Sequence, residues 1–141
     1  MKSFKNIFLL SLIIDLISFL PIFLVYNGGE IRDMMIESMG IEGLGQSIEG
    51  MAVMDTMAFG FGFIGAGYIA SLVYALRLKD LSALKAAAFI LGIVHLAWTL
   101  PDFVNFAKGS AGHPPLAFMI LSLVPIAGLF YVSQNGEIKS Y

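Results

Sequence analysis

Asp15 and His95 stand inside long apolar stretches, each ten residues beyond a lysine, Lys5 and Lys85. A carboxylate and an imidazole can pass a proton between them, which is the chemistry this couple would support. At about 1.5 Å per helical residue, each lies about 15 Å from its lysine, near the middle of a bilayer's hydrocarbon layer. A charge at that depth costs at least about 2.5–3.5 kcal/mol on insertion scales, so such residues face the protein interior and find partners.

Both residues belong to polar or small stripes. Ser11, Asp15 and Ser18 follow i, i+4, i+7, while Ala88, Gly92, His95, Thr99 and Asp102 keep the same rhythm. That spacing places each set on one helical face. Asp55 and Asp102 fall at similar depth towards the far interface, so a polar column is expected from Asp55 and Asp102 through Thr99 to His95 and Asp15. Four uses fit such a column. It is a hydrogen-bonded seam that fixes helix register, or one side of a pocket for a quinone, lipid or pigment walled by Trp98, Phe19, Phe103 and Phe106. It is otherwise a proton or ion path, or an intramembrane enzyme or metal centre.

Six of the eight methionines lie between Met34 and Met57, with Met35, Met39, Met51 and Met54 among them. Thioethers suit Cu(I), although methionine is more often apolar filler, and no metal ligand is assigned. His113 reads as a loop residue. With no cysteine, disulfides, thiolate metal sites and cysteine nucleophiles are excluded.

The elements that must position these residues follow from composition. The chain of 141 residues is 58% hydrophobic and 13% charged, where a soluble domain carries about a quarter charged residues. A single all-α integral membrane domain over residues 1–141 is expected. Four apolar stretches, Ile7–Tyr26, Met51–Leu76, Leu84–Phe106 and Pro115–Val132, are each near the roughly 20 residues that cross a bilayer. They predict a four-transmembrane-helix bundle. The first follows Lys2 and Lys5 but is longer than a signal-peptide core and lacks a small-residue cleavage site, so it is read as retained.

Lys2, Lys5, Arg77, Lys79, Lys85 and Lys139 fall on one side, against Arg32 and Lys108 on the other. This bias places both termini of a multi-pass plasma-membrane protein in the cytoplasm. Net charge is −2 with no basic block, which argues against nucleic acid as a partner. In the outer connection, Ile31, Met34, Met35 and Met39 recur with helical period, predicting a short amphipathic helix over 30–39 on the membrane surface. In the second stretch, Ala58, Gly62, Ala66 and Ala70, and likewise Gly67, Ser71 and Ala75, recur every fourth residue; small residues so spaced let membrane helices approach closely. Pro21, Pro101 and Pro125 are expected to bend their helices and free the carbonyls of Ile17, Ala97 and Leu121.

An internal repeat runs at an offset of 80 residues. KNIFLLSLIIDLISFLPIF (Lys5–Phe23) aligns without gaps on KAAAFILGIVHLAWTLPDF (Lys85–Phe103), with Lys5/Lys85, Leu16/Leu96 and Pro21/Pro101 among six identities in 19. It superposes Asp15 on His95. Two helical hairpins inserted the same way round, related by an axis along the membrane normal, would bring those residues together.

With HLAWTLPDF, a glycine-rich second helix and the G-x-x-x-H-P-P loop leading into the fourth (Gly109 to Pro115), the layout resembles small bacterial four-helix membrane proteins of the DoxX-like type. That resemblance covers most of the chain and implies a membrane protein related to subunits of quinone-linked oxidoreductases; it transfers no functional residue. The function expected is binding of a hydrophobic or amphiphilic small molecule, or service as an accessory subunit with other membrane subunits or further copies of itself. The alternative is a small proton-coupled transporter, or an intramembrane redox or metal protein, using Asp15 and His95. No cofactor is specified.

Overall fold

Serine and aspartate start the second and third long helices, and both caps are formed. Ser47 Oγ accepts from the Gly50 N–H at 3.0 Å, and Asp80 accepts from the Ala83 N–H at 2.8 Å and from the Ser82 hydroxyl. The computed structural model describes residues 3–25, 30–38, 40, 42–110 and 113–138. Lys2, Tyr26, Met39 and Lys139, and the side chains of Pro21, Ile31 and Met35, lie outside the described set.

The helices are α1 (Phe4–Val25), α2 (Glu30–Ser38), α3 (Ile48–Ala75), α4 (Leu81–Ala107) and α5 (Leu116–Asn135), with a 3-10 turn at Leu44–Gln46 before α3. Among the described residues there is no strand, only an isolated bridge between Ser3 and Glu137. That bridge puts the start of α1 and the end of α5 at one end of the molecule, here the terminal end. α4 and α5 continue through Pro101 and Pro125, as membrane helices tolerate.

α3, α4 and α5 are each long and apolar enough to cross a membrane. Their outward faces are apolar as well: Phe63, Ile64, Ile90 and Leu100 are all more than half exposed. Water does not favour such a surface and lipid does.

The long helices pack in the cyclic order α1, α3, α4, α5, so α1 faces α4 across the middle while, among the described residues, the backbones of α3 and α5 stay apart. α4 and α5 run antiparallel: Lys85 Nζ donates to the Gln134 carbonyl at 3.0 Å, and Gly92 lies against Leu129 and Phe130. Gly128 of α5 in turn receives Ile7 of α1.

Burial repeats between the two hairpins. On α1, Phe4, Phe8, Ser11, Asp15 and Phe19 are buried; 80 residues on, so are Leu84, Ala88, Leu91, His95 and Thr99 of α4. Gly62, Tyr68, Leu72 and Ala75 of α3 are likewise matched by Met119, Pro125, Leu129 and Val132 of α5 at a constant offset of 57. The first offset is larger because the first connection, which carries α2, is longer and α3 extends further at its start than α5 does. The two halves therefore share these inward positions, filled by different side chains, though not all of them: Ile14 is buried and its counterpart Val94 is 41% exposed.

The α3 packing face differs from the one that small-residue periodicity selects. Gly62 and Ala75 are buried, but Ala66, Gly67, Ala70 and Ser71 are exposed. Gly65 and Tyr68 are buried in their place. Phe19 is seated on Gly65: a Cβ there would stand 2.6 Å from the ring.

The Asp80 cap carries a pH signature. Its hydrogen bonds from Ser82 and Ala83 favour the carboxylate and hold the group below its ordinary value of 3.8. A depressed acid stabilises the fold above its unfolded pKa and loses that contribution as pH falls through the folded one. Thermal unfolding in detergent is therefore expected to show a midpoint that drops below about pH 4. Asp80→Ala should lower the midpoint at neutral pH and flatten that acid limb, with Asp80→Asn keeping most of the neutral-pH midpoint.

Candidate functional site

Asp15 and His95 occupy equivalent positions on the two helices that face each other across the middle, and their side chains meet. Asp15 Oδ1 lies 3.3 Å from His95 Nδ1, with the side chains 3% and 6% exposed. A carboxylate oxygen without a proton only accepts, so a hydrogen bond across this contact needs a proton on Nδ1, as an imidazole or imidazolium N–H, or on Oδ1, as a carboxylic acid O–H.

Tyr68, from α3, completes the group. Its hydroxyl oxygen is 3.3 Å from the same His95 Nδ1 and 3.4 Å from the Leu91 carbonyl, which accepts from it. The rings stand perpendicular, at 88° with centroids 5.7 Å apart. With the tyrosine hydrogen directed to Leu91, its oxygen is a second acceptor for an Nδ1 proton, and the two long contacts form a three-centre arrangement. Thr99, also buried, donates to the His95 carbonyl at 2.9 Å and so ties down the turn that carries the imidazole.

Two polar atoms at this centre have no protein partner among the described residues: Asp15 Oδ2 and Ser11 Oγ, on residues 2% and 0% exposed. The two residues lie one turn apart on one face of α1. Ser18, expected on that face, is exposed, and its hydroxyl returns to the Ile14 carbonyl at 2.9 Å. Beyond Asp15 the buried positions advance by four, from 15 to 19 on α1 and from 95 to 99 on α4, and this turns Ser18 outward.

Aromatic rings close the side away from the terminal end. Trp98 packs on Phe19 with centroids 5.1 Å apart and meets Phe61 edge-on at 5.3 Å and 84°. The expected walls therefore divide: Phe19 and Trp98 join this cluster, whereas Phe106 is exposed and packs on His113. Phe103 is half-buried.

The polar column stops short of the far interface. Asp55 is taken by Arg32 of α2, at 2.7 Å. Asp102 is half-buried two turns beyond His95. The centre is thus Ser11, Asp15, Tyr68, His95 and Thr99, with Trp98 above it. Met54 is buried while Met34 and Met57 are exposed, and no metal-binding group of three or more His, Asp or Glu forms among the described residues. A cavity of about 350 Å³ lies in the first connection, lined by Ile36, Glu37, Leu44 and Gln46 among others, away from the Asp–His pair.

Tyr68 and Gly65 were not singled out from sequence. The available signal was a tyrosine alone in a run of small and apolar residues, GAGYIAS, three positions after a glycine. Comparison of the chain with protein-family models, curated proteins and solved structures finds no match.

Proposed function

We propose that this is a four-span integral membrane protein whose Asp15–His95–Tyr68 centre binds and passes a proton, making it a small proton-coupled transporter. In this proposal α1 is the fourth span, α2 lies on the outer membrane surface, and the terminal end faces the cytoplasm. Support for the topology comes from the Ser3–Glu137 bridge, since an even number of crossings returns the chain to its starting side. The lysine and arginine bias supplies the orientation.

The observation that carries the proposal is the 3.3 Å contact between Asp15 Oδ1 and His95 Nδ1 beside the unpartnered Asp15 Oδ2. A seam built only to hold helices together is best when every buried polar atom is satisfied. This one leaves a carboxylate oxygen open beside a carboxyl–imidazole couple able to share a proton.

In liposomes with a trapped pH dye and an imposed potential, the wild-type protein is expected to carry protons. Asp15→Asn and His95→Gln should each lower that rate by about 100-fold or more, the usual scale for losing a proton-transfer group. Wild-type rates in both folded variants would refute the proposal.

A second use is favoured by one observation. Phe61 and Trp98 remain partly open where α3 meets α4, a narrower contact than that of α4 with α5. A quinone, lipid or pigment bound there, as expected from the polar column and its aromatic walls, would make the protein a binder or accessory subunit. Mass spectrometry of detergent-extracted protein would then find a stoichiometric amphiphile, lost in Trp98→Ala.

A further inference from the structure

Hydroxyl side chains in these helices mostly turn back on their own backbone. Ser18, Thr56, Ser71, Thr99, Ser122 and Ser133 each donate to a carbonyl three or four residues earlier, at 2.7–2.9 Å. Ser11 does not, although it is fully buried; its hydroxyl is unpartnered, as is Oδ2 of Asp15 one turn along the same face. A buried hydroxyl and a buried carboxylate oxygen left together are commonly satisfied by an ordered water. A cation fits poorly: calcium and magnesium take about six or more oxygens, and two are offered here.

We propose that Ser11 and Asp15 hold one water molecule, which donates to Asp15 Oδ2 and accepts from the Ser11 hydroxyl. It is the immediate proton donor to Asp15. Ser11 lies one turn from Asp15 towards Phe4, while Phe19, Trp98 and Phe61 cover the opposite side. A proton arriving on the water leaves its oxygen as the Oδ2–H bond forms, and the water remains as a neutral molecule for the next transfer. The site rests on the proton-carrying function proposed above, and its test separates the two.

Infrared difference spectra between acid and neutral pH are expected to contain a water O–H band that shifts when the membrane is hydrated with H2-18O. Ser11→Val, which removes the hydroxyl and fills its space, should abolish that band and slow proton flux about tenfold. Ser11→Thr keeps the hydroxyl and should retain both. No isotope-sensitive band in the wild-type protein, or a folded Ser11→Val variant conducting at the wild-type rate, overturns the water site. If Asp15→Asn still abolishes flux in that case, the proton function stands without it. An isotope-sensitive band lost in Ser11→Val, in a wild-type protein that carries no protons, leaves the water site supported and removes the transport function.

Discussion

Asp15→Leu and His95→Leu are each expected to destabilise the protein by about 3–5 kcal/mol, while the double variant recovers most of the loss. Either single substitution strands its partner. Without His95, a carboxyl group 2% exposed keeps an unpartnered Oδ2 and loses its contact at Oδ1. Without Asp15, Nδ1 of the imidazole keeps, among the described residues, the long contact with Tyr68 at 3.3 Å. The double variant removes both polar groups and fills the middle with two apolar side chains, which an apolar interior accepts. Tyr68 still has the Leu91 carbonyl as acceptor. Unfolding in mixed micelles measures all three variants, and losses that simply add would contradict a paired centre.

Gly65 gives the second large effect. A methyl group there would stand 2.6 Å from two atoms of the Phe19 ring, so the ring must leave its seat and disturb its 5.1 Å stack on Trp98. Gly65→Ala is expected to destabilise by about 1–3 kcal/mol despite alanine's better helix propensity, and Gly65→Val by more. Trp98 is the single tryptophan of the chain, so its fluorescence reports the displaced ring directly. Gly67→Ala is the control: a Cβ there meets nothing within 4 Å, and the variant should be as stable as wild type or slightly more. Equal behaviour of the two variants would mean that Phe19 is not held by the bare backbone of Gly65.

The central pair was legible because both residues stand ten positions beyond a lysine in matching segments. Parallel helices beginning at one level place such residues at one depth, and the offset of 80 carries through the buried positions from Phe4/Leu84 to Phe19/Thr99. The face of α3 was not legible. In a helix surrounded by lipid, the outward side is as apolar as the inward side, so hydrophobic contrast is lost and small-residue spacing alone selected Ala66 and Ala70. Ser18 was misplaced for a related reason. A fixed periodicity continues straight, whereas the contact between α1 and α4 shifts to four-residue steps above Asp15. The Arg32–Asp55 pair depends on how α2 folds back onto α3, and helical period says nothing about that.

The most direct test of the proton-carrying centre uses the variant that the pairing energetics keep folded. Proteoliposomes containing Asp15→Leu/His95→Leu should reconstitute as wild type does and unfold close to its midpoint, yet carry protons no faster than protein-free vesicles under the same potential. A folded double variant that acidifies the lumen at the wild-type rate would show that the buried pair holds helices together and carries nothing.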